Sequence, residues 1–478
     1  MSDDSSAHEL AKILAREIEE MPVGARLPTH RELVRRFGVS ATTVSRSLAL
    51  LTQRGLITSR PGAGSFRAET RPSPRTGNTS WQEATLELTN RLDSPTGAAR
   101  GFKTAALLGT LATSEPEVID LNGGYLHPEL QPLTRLGTAL SRAGRRSQAW
   151  AFPPVGGIPE LRDWFVSDIG GGLSRHDVLI CGAGQSALST ALRALCQPND
   201  PVVIESPTYP GTIAAIRAAG LRTIPVPLDR EGLRTDYLEQ ALARTGARVV
   251  IVQPLFQNPA GVSLSERRRH EIRTTARHYA AFVIEDDFAR HLAHTDSGQL
   301  PPPMIADDPD GTVIHVRSLT KVTSPNLRVG ALAARGPVVT KLRSAHVVDT
   351  MFVPAPLQYT ALEVMTAPGW KRALNTLGSA LRQRREVAVE AVEATFGPHA
   401  LAVRPRGGYH LWVSLPGHLD GEQLTAAALA NGVALTCGDN YYPTESNAAR
   451  VRISYVAAAS ATEVDAGVRR LAPLLVEQ

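Results

Sequence analysis

The sequence contains few cysteines and no long apolar run. Its three cysteines, Cys181, Cys196 and Cys437, are an odd and scattered set, which argues against a disulfide framework and a structural zinc site. No stretch approaches the roughly 18 uninterrupted apolar residues that a membrane helix needs. The acidic start, MSDDSSAHEL, lacks the apolar region of a secretory signal. We therefore expect a soluble, cytoplasmic protein without a membrane partner.

The composition is that of a folded protein with more than one domain. Apolar residues make up 42% of the chain and charged residues 20%, which excludes a wholly disordered protein. At roughly 100–200 residues per domain, 478 residues predict two or three units. Residues 68–80, AETRPSPRTGNTS, have no apolar side chain beyond Ala68 and predict a linker. The weak pattern of residues 98–115 leaves open whether the linker extends to residue 115.

Positive charge is concentrated near the N-terminus. The net charge is +5, yet residues 26–67 carry eight arginines against one glutamate. A basic segment on a nearly neutral body is typical of a nucleic-acid-binding module. A solvated arginine face has the same charge pattern, so charge alone does not decide between the two.

Residues 8–67 predict three helices followed by a β-hairpin. Apolar residues recur at helical spacing between Leu10 and Ile18, a short second helix covers 31–37, and Ser40 is placed to cap a third helix, Ala41–Arg54. Four side chains near the start of that third helix are expected to face outward: Thr42, Thr43, Ser45 and Arg46. The PGAG turn then separates two short strands. This is a winged helix-turn-helix, which places the start of its third helix against base edges.

These residues resemble the GntR family of DNA-binding domains, in the pieces LPTHREL, GVSATTVSRSL, RGLI and PGAGSF. The resemblance implies double-stranded DNA as a partner and contacts from Arg31, Ser40, Thr42, Thr43 and Gly62. Arg46 lies one position past a usual contact and is added on its charge. Position 41, often Arg in the family, is Ala41, so one contact of the family is missing.

From about residue 115 to 475, short β-rich runs alternate with helical stretches. This order favours an α/β fold with a mostly parallel sheet, whose ligands bind at the carboxyl ends of the strands. The runs are Val178–Ile180, Val202–Glu205, Val249–Gln253, Phe282–Glu285 and Thr312–Val316, with helices predicted at Ala187–Leu195, Ile213–Ala219 and Ser265–Ala280.

The groups after these strands make chemical sense together. They are a glycine-rich turn leading into a helix, an aromatic residue, an asparagine, a carboxylate and a lysine, namely 182–185, Tyr209, Asn258, Asp286 and Lys321. A pyridoxal phosphate site requires an anion cradle, a stacking ring, an acid for the pyridine nitrogen and an amine for the aldehyde. The order and spacing of these groups therefore predict a pyridoxal phosphate site.

That order resembles the fold-type I (class I/II) aminotransferases, with a smaller C-terminal α+β subdomain, and the whole chain resembles the MocR-type regulators. The resemblance places the cofactor Schiff base on Lys321, with Asp286 at the pyridine nitrogen as the second catalytic residue, Asn258 at the phenolic oxygen and Tyr209 on the ring. It assigns Arg452 to a substrate or effector carboxylate. The phosphate would be held by Ala183, Gly184, Gln185, Ser318 and Arg328.

Two residues depart from the family pattern. Phe288 and Phe152 stand where a Tyr is usual, and each replacement removes a hydroxyl near the cofactor. Neither removes a group needed for the Schiff base, so cofactor binding is expected and retention of transamination stays open. His291 and His294 have no evident third ligand, and we expect no metal site.

Three functions remain from the sequence. The first is a transcriptional regulator that binds pyridoxal phosphate and senses an amino compound. The second is an active aminotransferase with a secondary DNA-binding domain, and the third is a direct sensor of pyridoxal phosphate. The resemblance implies a head-to-tail homodimer. The effector, the operator and the sign of regulation do not follow from the sequence.

Overall fold

The computed structural model describes residues 3–53, 55–60, 63–68, 104–112, 115–444 and 448–475. They belong to two compact units, which divide between residues 92 and 93. The predicted DNA contact Gly62 and residues 69–80 of the predicted linker lie outside the described residues. Within the described ranges, no helix is both long and apolar enough to cross a membrane. The three cysteines are free.

The N-terminal unit is a three-helix bundle with a hairpin. Its apolar core joins all three helices and the first strand through residues such as Leu14, Leu33, Val44, Leu51 and Ile57, so the predicted winged helix-turn-helix is confirmed. The elements are α1 (Asp3–Glu20), α2 (His30–Phe37), α3 (Ala41–Gln53), β1 (Ile57–Arg60) and β2 (Gly64–Arg67), with β1 and β2 antiparallel.

The start of α3 confirms one prediction and corrects another. The Ser40 hydroxyl accepts a hydrogen bond from the Thr43 amide at 3.1 Å, as predicted for a cap. The prediction that Thr43 faces outward is wrong, because its side chain is only 3% exposed and its hydroxyl lies 2.7 Å from that of Ser40. Ser47, one turn later, is also buried and donates to the Ala7 carbonyl of α1 at 2.9 Å. Positions 43 and 47 therefore belong to the packed face of α3.

The C-terminal unit is built on an eight-stranded sheet. Parallel pairing joins β10, β9, β8, β5 and β6 in that spatial order, and antiparallel β11 lies between β4 and β10. The predicted mostly parallel sheet is thus confirmed. Its strands are β4 (Val178–Cys181), β5 (Pro201–Ser206), β6 (Arg222–Asp229), β7 (Gly232–Leu233), β8 (Val249–Val252), β9 (Phe282–Asp286), β10 (Val313–Ser318) and β11 (Gly330–Ala333).

Apolar clusters cover both faces of this sheet. In β4, Val178 and Ile180 enter one buried cluster while Leu179 and Cys181 enter another. Two-sided burial explains why these strands are continuously apolar in sequence. The helices that precede, connect or follow the strands are α4 (Ala105–Gly109), α5 (Leu133–Ala143), α6 (Pro159–Ile169), α7 (Ala183–Leu195), α8 (Pro210–Ala218), α9 (Thr235–Thr245), α10 (Glu266–His278), α11 (Val338–Thr350), α12 (Ala355–Thr366) and α13 (Trp370–Phe396).

A smaller α+β subdomain completes the unit, as predicted. Its antiparallel sheet has the order β12, β15, β14, and β13 pairs separately with the early strand β3 in parallel. Because β3 pairs with β13, the chain leaves β3 within the subdomain. It later enters the large sheet at β4, which is an edge strand. The elements are β3 (Ile119–Asp120), β12 (His410–Ser414), α14 (Gly421–Ala430), β13 (Val433–Ala434), β14 (Thr436–Cys437), β15 (Arg450–Ser454) and α15 (Ala461–Arg469).

Candidate functional site

A cavity lies at the carboxyl ends of the parallel strands. All nine residues that the sequence assigns to cofactor binding line it, although they come from six separate segments of the chain. The walls are Tyr125, Ala183, Gly184, Gln185, Leu188, Tyr209, Gln253, Asn258, Asp286, Phe288, Ser318, Thr320, Lys321, Arg328 and Tyr409.

Lys321 follows β10 and places its amine inside the cavity. Its Nζ atom donates a 2.8 Å hydrogen bond to the Gly124 carbonyl and lies 3.9 Å from the centre of the Tyr125 ring. Burial lowers the pKa of this amine below its usual 10.5, although the neighbouring Tyr125 acts in the opposite direction. A lysine with a lowered pKa has more of the neutral amine that attacks a carbonyl carbon.

Asp286 ends β9 on the side of the cavity. Gln253 donates a 3.0 Å hydrogen bond from Nε2 to Oδ2 of this carboxylate. Burial nevertheless raises the pKa of Asp286 to about 6. A cationic group beside the carboxylate would lower that pKa again, so the site favours a positively charged partner at this point.

The next carboxylate behaves in the opposite way. Asp287 is buried away from the cavity, 2.6 Å from Nε of Arg290 and 3.3 Å from Nη2 of Arg317. Although burial opposes ionisation, these two arginines hold the pKa of Asp287 at about 2. Two consecutive carboxylates at the end of β9 thus have separate roles, since Asp287 forms a structural ion pair and Asp286 faces the cavity.

The glycine-rich turn before α7 forms a cradle of backbone amides. Ala183 begins this helix with a φ of +70°, an uncommon conformation for a residue other than glycine. Gly330 packs closely against this turn, since a Cβ at position 330 would lie only 3.0 Å from the Ala183 Cα. The free amides and the dipole at a helix N-terminus favour an anion.

Ser318 and Arg328 complete this end of the cavity. The Ser318 hydroxyl lies 2.9 Å from that of Thr320, and Arg328 donates a 2.7 Å hydrogen bond to the Gly182 carbonyl. Arg328 is exposed and has a φ of +48°. Hydroxyls, amides and a guanidinium at one end match the needs of a phosphate group.

Two further predicted residues flank the middle of the cavity. Tyr209 is the residue directly before α8, and burial raises the pKa of its phenol. Asn258 donates its backbone N–H to the Gln253 side chain at 2.9 Å. Its Oδ1 atom is buried and has no hydrogen-bond partner among the described residues. A buried side-chain oxygen without a partner, beside a cavity, is typical of a site for a polar ligand.

Arg452 on β15 lies behind Tyr409, just outside these walls. It is 2% exposed, and its Nη2 atom donates to the backbone carbonyl of Asn122. Its guanidinium carbon lies 5.9 Å from the Tyr409 ring centre and 5.5 Å from that of Tyr441, while Nε has no partner among the described residues. A buried guanidinium with a spare donor suits a carboxylate.

Phe288 and Phe152, the two residues that depart from the family pattern, differ in their exposure. Phe288 is 9% exposed, and its ring centre lies 6.2 Å from that of Tyr409. Phe152 is 79% exposed and contacts Phe352 edge-to-face, with 5.2 Å between the ring centres. Phe288 therefore packs in the cavity wall without offering a donor.

Sequence reasoning missed five residues of the cavity wall: Tyr125, Leu188, Gln253, Thr320 and Tyr409. Tyr409 is only 3% exposed, yet it also borders the cavity. The two glycines before Tyr125 were the sequence feature that could have indicated a close approach of the backbone to the site. In the structure, a Cβ at Gly124 would lie 3.4 Å from the Lys321 amine.

The histidines have protein partners. His291 Nε2 lies 3.1 Å from Oδ1 of Asp168, and burial lowers the pKa of His294 to about 4. A buried group that the sequence did not suggest joins Glu285, Asp287 and His315. The His315 Nδ1 atom lies 2.7 Å from Oε2 of Glu285. Since Arg317 pairs with Asp287 in the same cluster, its charges are balanced by the protein itself.

The candidate DNA surface lies on the N-terminal unit. Arg31, Ser40, Thr42 and Arg46 are exposed, whereas Thr43 is buried. His30 links the first turn of α2 to α3 through a 2.9 Å contact with the Ser45 hydroxyl. The two helices therefore form one framework beneath these side chains.

The chain is similar to two groups of known proteins. Residues 116–471 match the family Aminotransferase class I and II, and residues 7–66 match the family Bacterial regulatory proteins, gntR family. The uncharacterized HTH-type transcriptional regulator YdfD of Bacillus subtilis is 25% identical over 464 residues, covering 96% of this chain and 93% of YdfD. Aromatic-amino-acid aminotransferase 1 of Thermococcus litoralis is 28% identical and covers 83% of this chain and 99% of its own.

The solved structures give the same result for the larger unit. LysN, the α-aminoadipate aminotransferase of Thermus thermophilus, complexed with N-(5'-phosphopyridoxyl)-L-leucine, has a TM-score of 0.73 and 27% identity. The similarity covers 83% of this chain and 98% of that one.

Proposed function

Since the chain belongs to the aminotransferase class I and II family and carries a gntR-family helix-turn-helix domain, we propose that it is a pyridoxal phosphate-dependent transcriptional regulator that senses an amino compound. The observation that carries the proposal is the meeting of Lys321, Asp286 and Asn258 in one cavity, with Arg452 directly behind its wall. Regulators named for their helix-turn-helix among the relatives support it. A regulator of this kind would act on DNA in the cytoplasm.

The donor set of the cavity fits pyridoxal phosphate. When bound, this cofactor supplies an aldehyde that condenses with a lysine amine and a protonated ring that withdraws electrons. Lys321 would hold it covalently, and the Asp286 carboxylate would keep the proton on the pyridine nitrogen. Tyr209 would stack on the ring, and Nδ2 of the Asn258 side chain would donate a hydrogen bond to the phenolic oxygen.

The amide cradle would bind the phosphate. Ala183, Gly184 and Gln185 offer the first turn of α7, and Ser318 and Arg328 add a hydroxyl and a positive charge. Arg452 would take the carboxylate of the amino compound, because its fork can bind both carboxylate oxygens in a low-dielectric site. The effector is then an amino acid or a close analogue.

DNA binding is assigned to the exposed side chains of the N-terminal unit. Arg31, Ser40, Thr42 and Arg46 would contact DNA, and Gly62 would contribute from the wing. Thr43 is withdrawn from the side-chain contacts because it is buried. Ligand binding in the larger unit would change DNA affinity by favouring one arrangement of the protein over another.

We also propose a head-to-tail homodimer. Trp150 is 73% exposed and Phe152 79% exposed, and the contact of Phe152 with Phe352 brings them near Val348 and Met351, which are 77% and 65% exposed. Large exposed apolar side chains grouped in this way are typical of protein–protein interfaces.

An active aminotransferase is the second candidate. The complete set of Lys321, Asp286, Asn258 and Arg452 favours it, as does the similarity to named aminotransferases. The loss of hydroxyls at Phe288 and Phe152 favours regulation instead. A direct sensor of pyridoxal phosphate is the third candidate.

One experiment separates these functions. The purified protein, loaded with pyridoxal phosphate, is mixed with a panel of amino acids, and its visible spectrum is followed beside its affinity for the promoter next to its own gene. Salt-sensitive DNA binding that changes with an amino acid, without steady turnover, supports the sensor of amino compounds. Steady turnover without DNA affinity supports the enzyme. A change in DNA affinity with the cofactor alone supports the third candidate.

A further inference from the structure

A short helix leads into the larger unit and packs close to the site. This lead-in helix, α4 (Ala105–Gly109), precedes β3, and its Ala106 and Leu107 line a second cavity together with residues of α8 and of the loop 438–442. Helix α8 directly follows Tyr209, and the loop precedes β15, which carries Arg452. The lead-in helix thus contacts two elements that border the proposed cofactor and carboxylate sites.

Asn122 connects this helix directly to Arg452. It is 6% exposed, and its Nδ2 atom donates a 2.7 Å hydrogen bond to the Gly109 carbonyl at the end of the lead-in helix. Its backbone carbonyl accepts a hydrogen bond from Nη2 of Arg452. One buried residue therefore holds the lead-in helix with its side chain and the arginine with its main chain.

A third contact keeps Asn122 in register with the arginine. The Thr436 hydroxyl donates to Oδ1 of Asn122, and Thr436 lies directly opposite Arg452 across β14 and β15. The backbone of Asn122 is anchored separately, since its N–H donates to the Asp120 carboxylate at 2.8 Å. A displacement of Arg452 or of its strand partner is therefore transmitted to Asn122.

We propose that Asn122 is a positioning residue that couples the occupancy of Arg452 to the docking of the lead-in helix. This inference rests on the proposed function, namely that Arg452 binds a carboxylate. A carboxylate that takes the guanidinium hydrogens competes with the Asn122 carbonyl. The loss of that bond shifts Asn122 and weakens its hydrogen bond to Gly109, so carboxylate binding loosens the helix at the end of the segment that follows the DNA-binding unit.

Two synthetic conjugates test this with the full chain. N-(5'-phosphopyridoxyl)-glycine and N-(5'-phosphopyridoxyl)-methylamine differ only in a carboxylate. Neither carries an amino-acid side chain, so the test does not depend on knowing the true effector. Amide hydrogen exchange of residues 104–112 is measured with each conjugate bound at saturation. We expect exchange about fivefold faster with the glycine conjugate, as for the loss of one hydrogen bond.

Asn122→Ala is the diagnostic variant, because it removes the bond to Gly109 and keeps the carbonyl that faces Arg452. Its lead-in helix is expected to exchange equally fast with both conjugates. Asn431→Ala is the matched control, since Asn431 also donates from Nδ2 to a backbone carbonyl, at 2.8 Å, on the exposed end of α14. It is expected to behave as the wild type.

The outcomes separate this inference from the function it rests on. If the glycine conjugate binds more tightly than the methylamine conjugate, and Arg452→Lys removes the difference, the carboxylate assignment holds. Equal exchange of residues 104–112 with both conjugates would then overturn the coupling alone, as would an unchanged ligand response in Asn122→Ala. Failure of both conjugates to bind overturns the cofactor site and the coupling with it.

Discussion

The amine of Lys321 lies 3.9 Å from the centre of the Tyr125 ring, on the side where Nζ also donates to Gly124. An ammonium group over an aromatic face is stabilised relative to the neutral amine. Tyr125 therefore opposes the effect of burial on the Lys321 pKa. The opposing effects of burial and of Tyr125 on the Lys321 pKa influence how much of this amine is neutral, and therefore reactive, at neutral pH.

The first prediction follows from this contact. In Tyr125→Leu the pKa of Lys321 falls further, because the ring no longer favours the charge. The pH midpoint for attachment of pyridoxal phosphate to the cofactor-free protein therefore shifts down. Stopped-flow absorbance measures the rate of attachment at each pH. Tyr237→Leu, which removes a ring 4.8 Å from the half-buried Arg234, is the control and leaves the midpoint unchanged.

The second prediction concerns Asp286. Its folded-state pKa of about 6 lies above the ordinary 3.8, so the protonated form stabilises the fold, and this contribution is lost as the pH rises from about 4 to 6. In the cofactor-free protein, Asp286→Asn therefore raises the free energy of unfolding by up to about 3 kcal/mol at pH 8 and by less at pH 5. Urea unfolding at the two pH values measures the difference.

Asp287→Asn provides the opposite control for this experiment. Its pKa is held at about 2 by Arg317 and Arg290, so its ionised form stabilises the fold at all pH values above its ordinary range. Removing that charge takes an ion-pair partner from the buried Arg317 and from Arg290, and destabilises the protein at both pH values. A cofactor-free Asp286→Asn protein that is less stable than wild type at pH 8 would contradict the account.

The third prediction restores a missing hydroxyl. Phe288 lines the cavity, and Phe288→Tyr adds a donor that stabilises the phenolate oxygen of the cofactor once the imine loses its proton. The imine pKa, measured by absorbance titration of the loaded protein, is expected to fall by about one unit. Phe152→Tyr, at an exposed ring, is the comparison. No shift with Phe288→Tyr would place this side chain away from the phenolic oxygen.

Much of the sheet and of the site was predictable because the strands are buried on both faces. The predicted runs Val178–Ile180 and Phe282–Glu285 became β4 and β9 with one residue added. A continuous apolar run marks such a strand, and polar residues after it mark its carboxyl end. Lys321 and Asp286 could therefore be placed at the same edge although they lie far apart in sequence.

The contribution of Tyr125 was not predictable in this way. It follows β3, a strand of two residues, Ile119 and Asp120, whose partner Val433 lies in a distant part of the chain. So short a strand has no hydrophobic period, and nothing local indicates its distant partner. The prediction that Thr43 faces outward was wrong for another reason. Its polar character suggested exposure, whereas a small hydroxyl can be buried when a capping residue supplies its hydrogen-bond partner.

The fourth prediction separates neighbouring threonines of α3. Thr43→Ala removes a buried hydroxyl contact with Ser40 and lowers the stability of the N-terminal unit by about 1 kcal/mol. Thr42→Ala, at an exposed position, leaves stability unchanged and weakens binding to the promoter by about tenfold. Thermal unfolding and fluorescence anisotropy at fixed salt measure the two effects. Reduced stability in Thr42→Ala with unchanged DNA affinity would reverse the assignment.

The covalent attachment of pyridoxal phosphate to Lys321 is tested most directly by borohydride reduction of the loaded protein, followed by mass spectrometry of its peptides. We expect a phosphopyridoxyl group on the peptide that contains Lys321, lost in Lys321→Ala and retained in Lys341→Ala, which changes an exposed lysine. A wild-type protein that carries no such group after reduction, or carries it on another lysine, would contradict the account.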